Sequence, residues 1–123
     1  PVIYHGCGNV NAIFDDFADM RLDAYNPLEV KADMDALQLK KVYGDRIGYC
    51  GNNDILLWET NDFDLIKHET LRKLNAAKGG GYIFQSDHSV SGGVAGRTYD
   101  YIVKLVREYG KYPLILGEYD LEV

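Results

Sequence analysis

A histidine and a cysteine one residue apart, His5 and Cys7, are the sharpest chemical feature of this sequence. Where such a pair closes a β-strand, side chains two apart point to the same face. An imidazole and a thiolate so placed can share one zinc ion, at about 2.0–2.1 Å and 2.3 Å respectively. A zinc with an open position would bind a substrate thiol and lower its pKa, as it lowers that of water. Cys50 and His88 close or follow other β-prone runs and are the candidates to complete the ligand set. The plainer alternative is that Cys7 packs as a small apolar group while His5 hydrogen-bonds locally.

The remaining candidates stand at similar places. His88 can serve as a ligand, a general acid or a substrate hydrogen-bond donor. Beside it is Asp87, and of two strand neighbours only one points inward. Asp54 follows Gly51-Asn52-Asn53 and suits either substrate contact or a helix cap. Asp23 and Tyr25 offer a carboxylate and a phenol for substrate, or partners for loop amides. Arg97 follows a loop rich in Gly and Ser, Ser89 to Gly96. His68 lies within a helical stretch and has no chemical partners in the sequence.

Chemistry of this kind needs elements that bring the candidates together, and the chain alternates strand and helix four times. Val2-Ile3-Tyr4 is a short strand, followed by a helix capped by Asn9 or Asn11 with Val10, Ile13, Phe14 and Phe17 on its apolar face. A second strand spans Met20 to Tyr25, and Asn26-Pro27-Leu28-Glu29 reads as a helix start. Val30, Met34, Leu37 and Val42 form that helix's buried stripe, and Gly44 ends it. The third strand is Arg46 to Asn52, with a helix carried by Leu65, Leu71 and Leu74 that stops at Gly79-Gly80-Gly81. Tyr82 to Ser86 is the fourth strand, and Ile102, Leu105, Val106 and Tyr109 line the last helix up to Gly110. The tail from Tyr112 to Val123 has strand-like content and no assigned place.

Strict alternation predicts an α/β fold with parallel strands, either doubly wound or closed as a barrel. Nothing resembles a dinucleotide loop, because Gly79-Gly80-Gly81 precedes a strand instead of following one. A full eight-unit barrel takes about 250 residues. Four βα units in 123 residues therefore amount to half of a TIM-type (β/α)8 barrel, read as one domain over residues 1–123. In such folds reactive residues gather at the strand C-terminal ends, which here means His5 to Asn9, Asp23 to Asn26, Cys50 to Asp54 and Asp87 to Ser91. Half a barrel leaves open sheet edges and a half-exposed interior, which predicts a homodimer or a missing N-terminal half-barrel as partner.

Bulk properties narrow the function classes. The net charge is −6, with 13 Lys and Arg that are scattered, which argues against a nucleic-acid surface. No apolar run nears the roughly 20 residues of a membrane span. Two cysteines are too few for a disulfide scaffold. With no secretory signal in view, the expected setting is the cytoplasm, with reduced thiols and a small-molecule substrate.

His5-Gly6-Cys7-Gly8-Asn9, Asp45-Arg46-Ile47 leading to Gly51-Asn52-Asn53-Asp54, Gly80-Gly81-Tyr82-Ile83-Phe84 to His88, and Val106-Arg107-Glu108-Tyr109-Gly110 together resemble the uroporphyrinogen decarboxylase-like superfamily. The resemblance covers nearly the whole chain but only the C-terminal half of that family's barrel. It implies two chemistries. One branch decarboxylates the acetate side chains of uroporphyrinogen without a cofactor. The other contains zinc-dependent methyltransferases that move methyl groups between corrinoids and thiols.

His5 and Cys7 match the first two zinc ligands of the methyltransferases. Where those enzymes have a third, cysteine ligand this chain has Ser86-Asp87-His88, so His88, Asp87 or Cys50 would have to substitute. His88 also matches a substrate-binding histidine of the decarboxylases, and Asn52 to Asp54 look like their Gly-Asn-Leu-Asp turn. With His88 and Asp54 in catalysis, Asn52, Asp23, Tyr25 and Arg97 would contact substrate. The decarboxylases' substrate-gripping arginines and key aspartate lie in the half that is absent. The expectation is therefore a family member nearer the zinc methyltransferases. Its alternatives are a decarboxylase-type lyase of porphyrin biosynthesis, and a catalytically incomplete half-barrel that serves as an assembly or binding module.

Overall fold

Apolar and β-branched runs become four short strands of one sheet, β1 (Ile3–His5), β2 (Ala24–Asn26), β3 (Gly48–Asn53) and β4 (Tyr82–Ser86), in a computed structural model that describes residues 1–123. Their spatial order is β1-β2-β3-β4 and every neighbouring pair is parallel. Helices α1 (Phe14–Asp19), α2 (Ala36–Tyr43), α3 (Ile55–Glu59), α4 (Phe63–Leu74) and α5 (Gly96–Tyr109) fill the crossovers and the C-terminal side. A doubly wound sheet would reverse its strand order at a switch point. Sequential order with no reversal is the arrangement of part of a TIM-type barrel. No helix is long and apolar enough to cross a membrane.

The core lies between the sheet and its helices. Phe14, Tyr25, Leu28, Met34, Leu37, Leu39, Ile47 and Tyr49 form the main cluster, with Trp58, Ile66 and Ile102 under β4. The other sheet face stays open. Ile3 and Ile83, each two residues before an inward-facing rim residue, are both 50% exposed.

Several local expectations need correction. Asn26-Pro27-Leu28-Glu29 does not start a helix: Asn26 closes β2, in register with His5, and a cis peptide leads into Pro27. Helix α2 begins ten residues later, at Ala36, where the Asp35 carboxylate accepts a hydrogen bond from the Leu37 amide at 2.8 Å. The intervening loop carries Leu28 and Asp33 at positive φ, a local geometry that composition did not reveal. Strand β2 is also shorter than expected, so Asp23 precedes it. Val42 is 70% and Leu65 51% exposed, and Ile66, Leu71 and Leu74 form the buried stripe of α4.

The third crossover holds two helices instead of one, broken at Asn61, whose φ is +53°. In the tail, Leu116 packs on Leu71 and Leu74, and Gly117–Tyr119 is a single 3-10 turn. Asn9 does shape the entry to α1, accepting from the Asn11 amide at 3.0 Å ahead of the turn Asn11–Ile13.

Candidate functional site

At the C-terminal ends of the strands each strand contributes one inward-facing polar side chain, and the four are hydrogen-bonded across the sheet. His5 Nδ1 on β1 lies 2.5 Å from Asn26 Oδ1 on β2. The Asn26 Nδ2 group donates to the Cys50 carbonyl at 3.3 Å, to Cys50 Sγ at 3.3 Å and to Gln85 Oε1 at 3.2 Å. The Cys50 thiol donates to Gln85 Oε1 at 3.0 Å. Burial pushes the Cys50 thiol pKa up, partly offset by the Asn26 donor, so this sulfur is held as a neutral S–H.

Beyond this row the strand ends enclose a cavity of about 230 Å³, lined by His5, Cys7, Gln85, Ser86, Asp87 and His88 among others. Cys7 is exposed and its Sγ stands 3.7 Å from His5 Nε2. The sharpest pair in the sequence thus shares a rim cavity with His88. A larger cavity of about 370 Å³ lies between β4 and α5, lined by Trp58, Phe84, Tyr99, Ile102 and Val106. It contains no His, Cys or carboxylate, and Arg107 is its one charged side chain.

Buried carboxylates hold the loops that shape the rim. Glu29, 6% exposed, accepts from the Gly8 amide at 2.6 Å and so ties down the turn that carries Cys7. Asp87, 2% exposed, accepts from Val30 N at 2.9 Å and Ile55 N at 3.0 Å. It joins the loops after β2 and β3. Asn61 donates to the Gly93 carbonyl at 3.0 Å and accepts from Ala95 N at 2.8 Å, which anchors the Ser89 to Gly96 loop. Gly51 sits at φ +109°, and a Cβ there would stand 2.1 Å from the Pro27 carbonyl oxygen. Only glycine permits that close crossing of the β2 and β3 loops.

A family model described as uroporphyrinogen decarboxylase (URO-D) matches residues 1–109. The chain belongs to that family. No curated protein and no solved structure matches it.

The family match does not choose between the two chemistries that the resemblance implies, so the choice rests on this chain's own residues. For a zinc ion two donors fit well. At the bond lengths of a tetrahedral zinc, an imidazole nitrogen and a thiolate sulfur stand about 3.6 Å apart, and His5 Nε2 and Cys7 Sγ are separated by 3.7 Å. No group of three His, Cys, Asp or Glu side chains converges closely enough to hold a metal in this arrangement. Cys50 is engaged with Gln85, and Asp87, which lines the same cavity, accepts from two backbone amides. His88 lines the same cavity.

Other candidates fall outside the cavity. Asp23 precedes β2 at the sheet's opposite end, where it accepts from the Val2 amide. The Tyr25 ring lies on the helix side among Phe14, Phe17 and Tyr4, its hydroxyl donating to the Gly6 carbonyl at 2.9 Å. Burial, reinforced by Tyr4, Cys7 and Glu29 nearby, raises its pKa.

Asn52 is fully buried; its amide donates to the Leu28 and Met34 carbonyls, both at 2.7 Å, and its oxygen accepts from Ala36 N and Lys73. Asp54 caps α3, accepting from Leu56 N at 2.9 Å. Arg97 is exposed in the first turn of α5. Asn26, expected as a helix cap at the rim, and Gln85, which no expectation named, are the residues that link the row. Their signal was parity: Gln85 is the polar residue at the inward position of an otherwise apolar strand.

Proposed function

We propose that this URO-D family chain is the thiol-binding half of a methyl-transfer enzyme, with His5 and Cys7 as two ligands of a catalytic zinc. The observation that carries the reading is the 3.7 Å approach of His5 Nε2 to Cys7 Sγ at a rim cavity, with the other ring nitrogen already engaged. His88 is a further donor on that cavity and would be the third ligand.

When bound, zinc would supply a Lewis acid that lowers the pKa of a substrate thiol. The protein's part is to hold the imidazole by Asn26, to hold the Cys7 turn by Glu29, and to leave a polar opening at Ser86 and His88 for the thiol. A methylcorrinoid would supply the methyl group, and the rim cavity would hold the thiol that receives it and gives up its proton to solvent.

Metal analysis after zinc loading tests this. About one zinc per chain is expected, with loss in His5→Ala and Cys7→Ala and weakening in His88→Ala. No zinc at stoichiometric supply overturns the reading. Binding of a porphyrinogen-like polyanion without any metal would instead favour a decarboxylase-type activity.

A further inference from the structure

We infer that Asn26 is a positioning residue that sets the tautomer of His5, so that the ring presents its Nε2 lone pair to the rim cavity. The inference deepens the proposed reading of His5 as a donor and rests on it for its chemical purpose, but its geometry stands independently.

Asn26 is 7% exposed, so its amide needs partners inside the protein. On one side it faces the Cys50 carbonyl at 3.3 Å. A backbone carbonyl can only accept, so the group facing it must be the NH2. The same NH2 meets the Gln85 side-chain oxygen at 3.2 Å, an oxygen that also accepts from the Cys50 thiol at 3.0 Å. A flipped amide would set its oxygen against two acceptors. Oδ1 is thereby directed at His5 Nδ1, 2.5 Å away.

Two lone pairs cannot face each other at that distance, so Nδ1 carries the proton. A neutral imidazole has one N–H, which leaves Nε2 bare. That nitrogen points toward Cys7 Sγ at 3.7 Å. The hydrogen bonds run from a backbone carbonyl on β3, through an amide on β2, to a ring on β1. Each link is a hydrogen bond whose direction is forced by the one before. The ring is thus a lone-pair donor toward the cavity, suited to a thiol proton or a soft divalent cation.

The test is nitrogen NMR of the 15N-labelled, metal-free chain at about pH 8, where an unperturbed imidazole is neutral. His5 is expected to show a protonated-type Nδ1 and an unprotonated-type Nε2. In Asn26→Leu the proton should move to Nε2, the form that free imidazoles prefer. Asn26→Asp keeps an acceptor at this position and should restore the Nδ1–H form.

A wild-type His5 with its proton on Nε2, or a Leu variant with an unchanged tautomer, overturns the inference. Should the Leu variant fail to fold, the wild-type spectrum decides alone. Zinc uptake reports separately: an Nδ1–H ring in a protein that takes up no zinc keeps this inference and sinks the metal reading.

Discussion

The buried ammonium of Lys73 on α4 donates to the side-chain oxygen of Asn52 at the end of β3. Asn52 sits at φ +62°, a backbone region that asparagine tolerates better than most residues. Its four bonds lock the loop after β2 against the start of α2. Lys73 is further flanked by Asp35 at 3.7 Å and Glu69 at 3.6 Å, while Arg72 meets Asp35 at 2.9 Å. Burial lowers the Lys73 pKa, against the opposing pull of both carboxylates. The residue at this rim-like sequence position therefore serves the fold rather than a ligand.

Removing that lock should be costly. Asn52→Ala strands two buried carbonyls and one buried amide and takes one acceptor from the Lys73 ammonium, which predicts a loss of about 3 kcal/mol or more. Urea denaturation measures it, and a loss under about 1 kcal/mol would show that water or rearrangement replaces the network.

Acid stability should depend on Asp35. Burial alone would raise its pKa, but Lys73, Arg72 and the Leu37 amide outweigh burial and hold it below the usual carboxylate value. The unfolded chain therefore binds this proton at higher pH than the folded one. The contribution is full above the unfolded pKa of about 3.9 and is lost as pH falls through the depressed folded value. Asp35→Asn keeps the helix cap and removes the charge, so its denaturation midpoint should fall less between pH 5 and pH 2 (approximate bounds of the window). Parallel curves for the two proteins would contradict this.

The two thiols should react very differently. Cys7 is exposed, whereas Cys50 is buried with its pKa raised by that burial. Iodoacetamide should label Cys7 in the native protein at least about tenfold faster than Cys50. The Cys7→Ala variant should then stay unlabelled until it is unfolded. Equal rates would place Cys50 in contact with solvent.

Open edges predict self-association of the isolated chain. Strands β1 and β4 each lack a neighbour on one side, and Ile3 and Ile83 remain half exposed on the inner face. Light scattering should give a mass near twice 13.9 kDa, reduced by Ile83→Lys. A stable monomer would show that these edges are tolerated without a partner.

The sequence by itself determined the strand–helix alternation and the parallel sheet, which follow from local periodicity and the order of the elements. It did not place Cys7, which lies past the end of β1 in a turn, so its approach to His5 comes from that turn and not from strand alternation. Tertiary structure alone decided which donors meet. Cross-strand stagger brought Asn26, Cys50 and Gln85 into one row, although their registers place Cys50 opposite Ile83.

Loop backbones at positive φ, at Leu28, Asp33 and Asn52, turned a helix start into a loop and an apparent rim asparagine into a core clamp. The same packing gave both Asp87 oxygens a backbone amide. Hydrogen-bond satisfaction is a property of the assembled interior, and no spacing rule along the chain encodes it. His5 ends β1 and Cys7 lies in the turn after it, and the support of both comes from residues that only the fold could name.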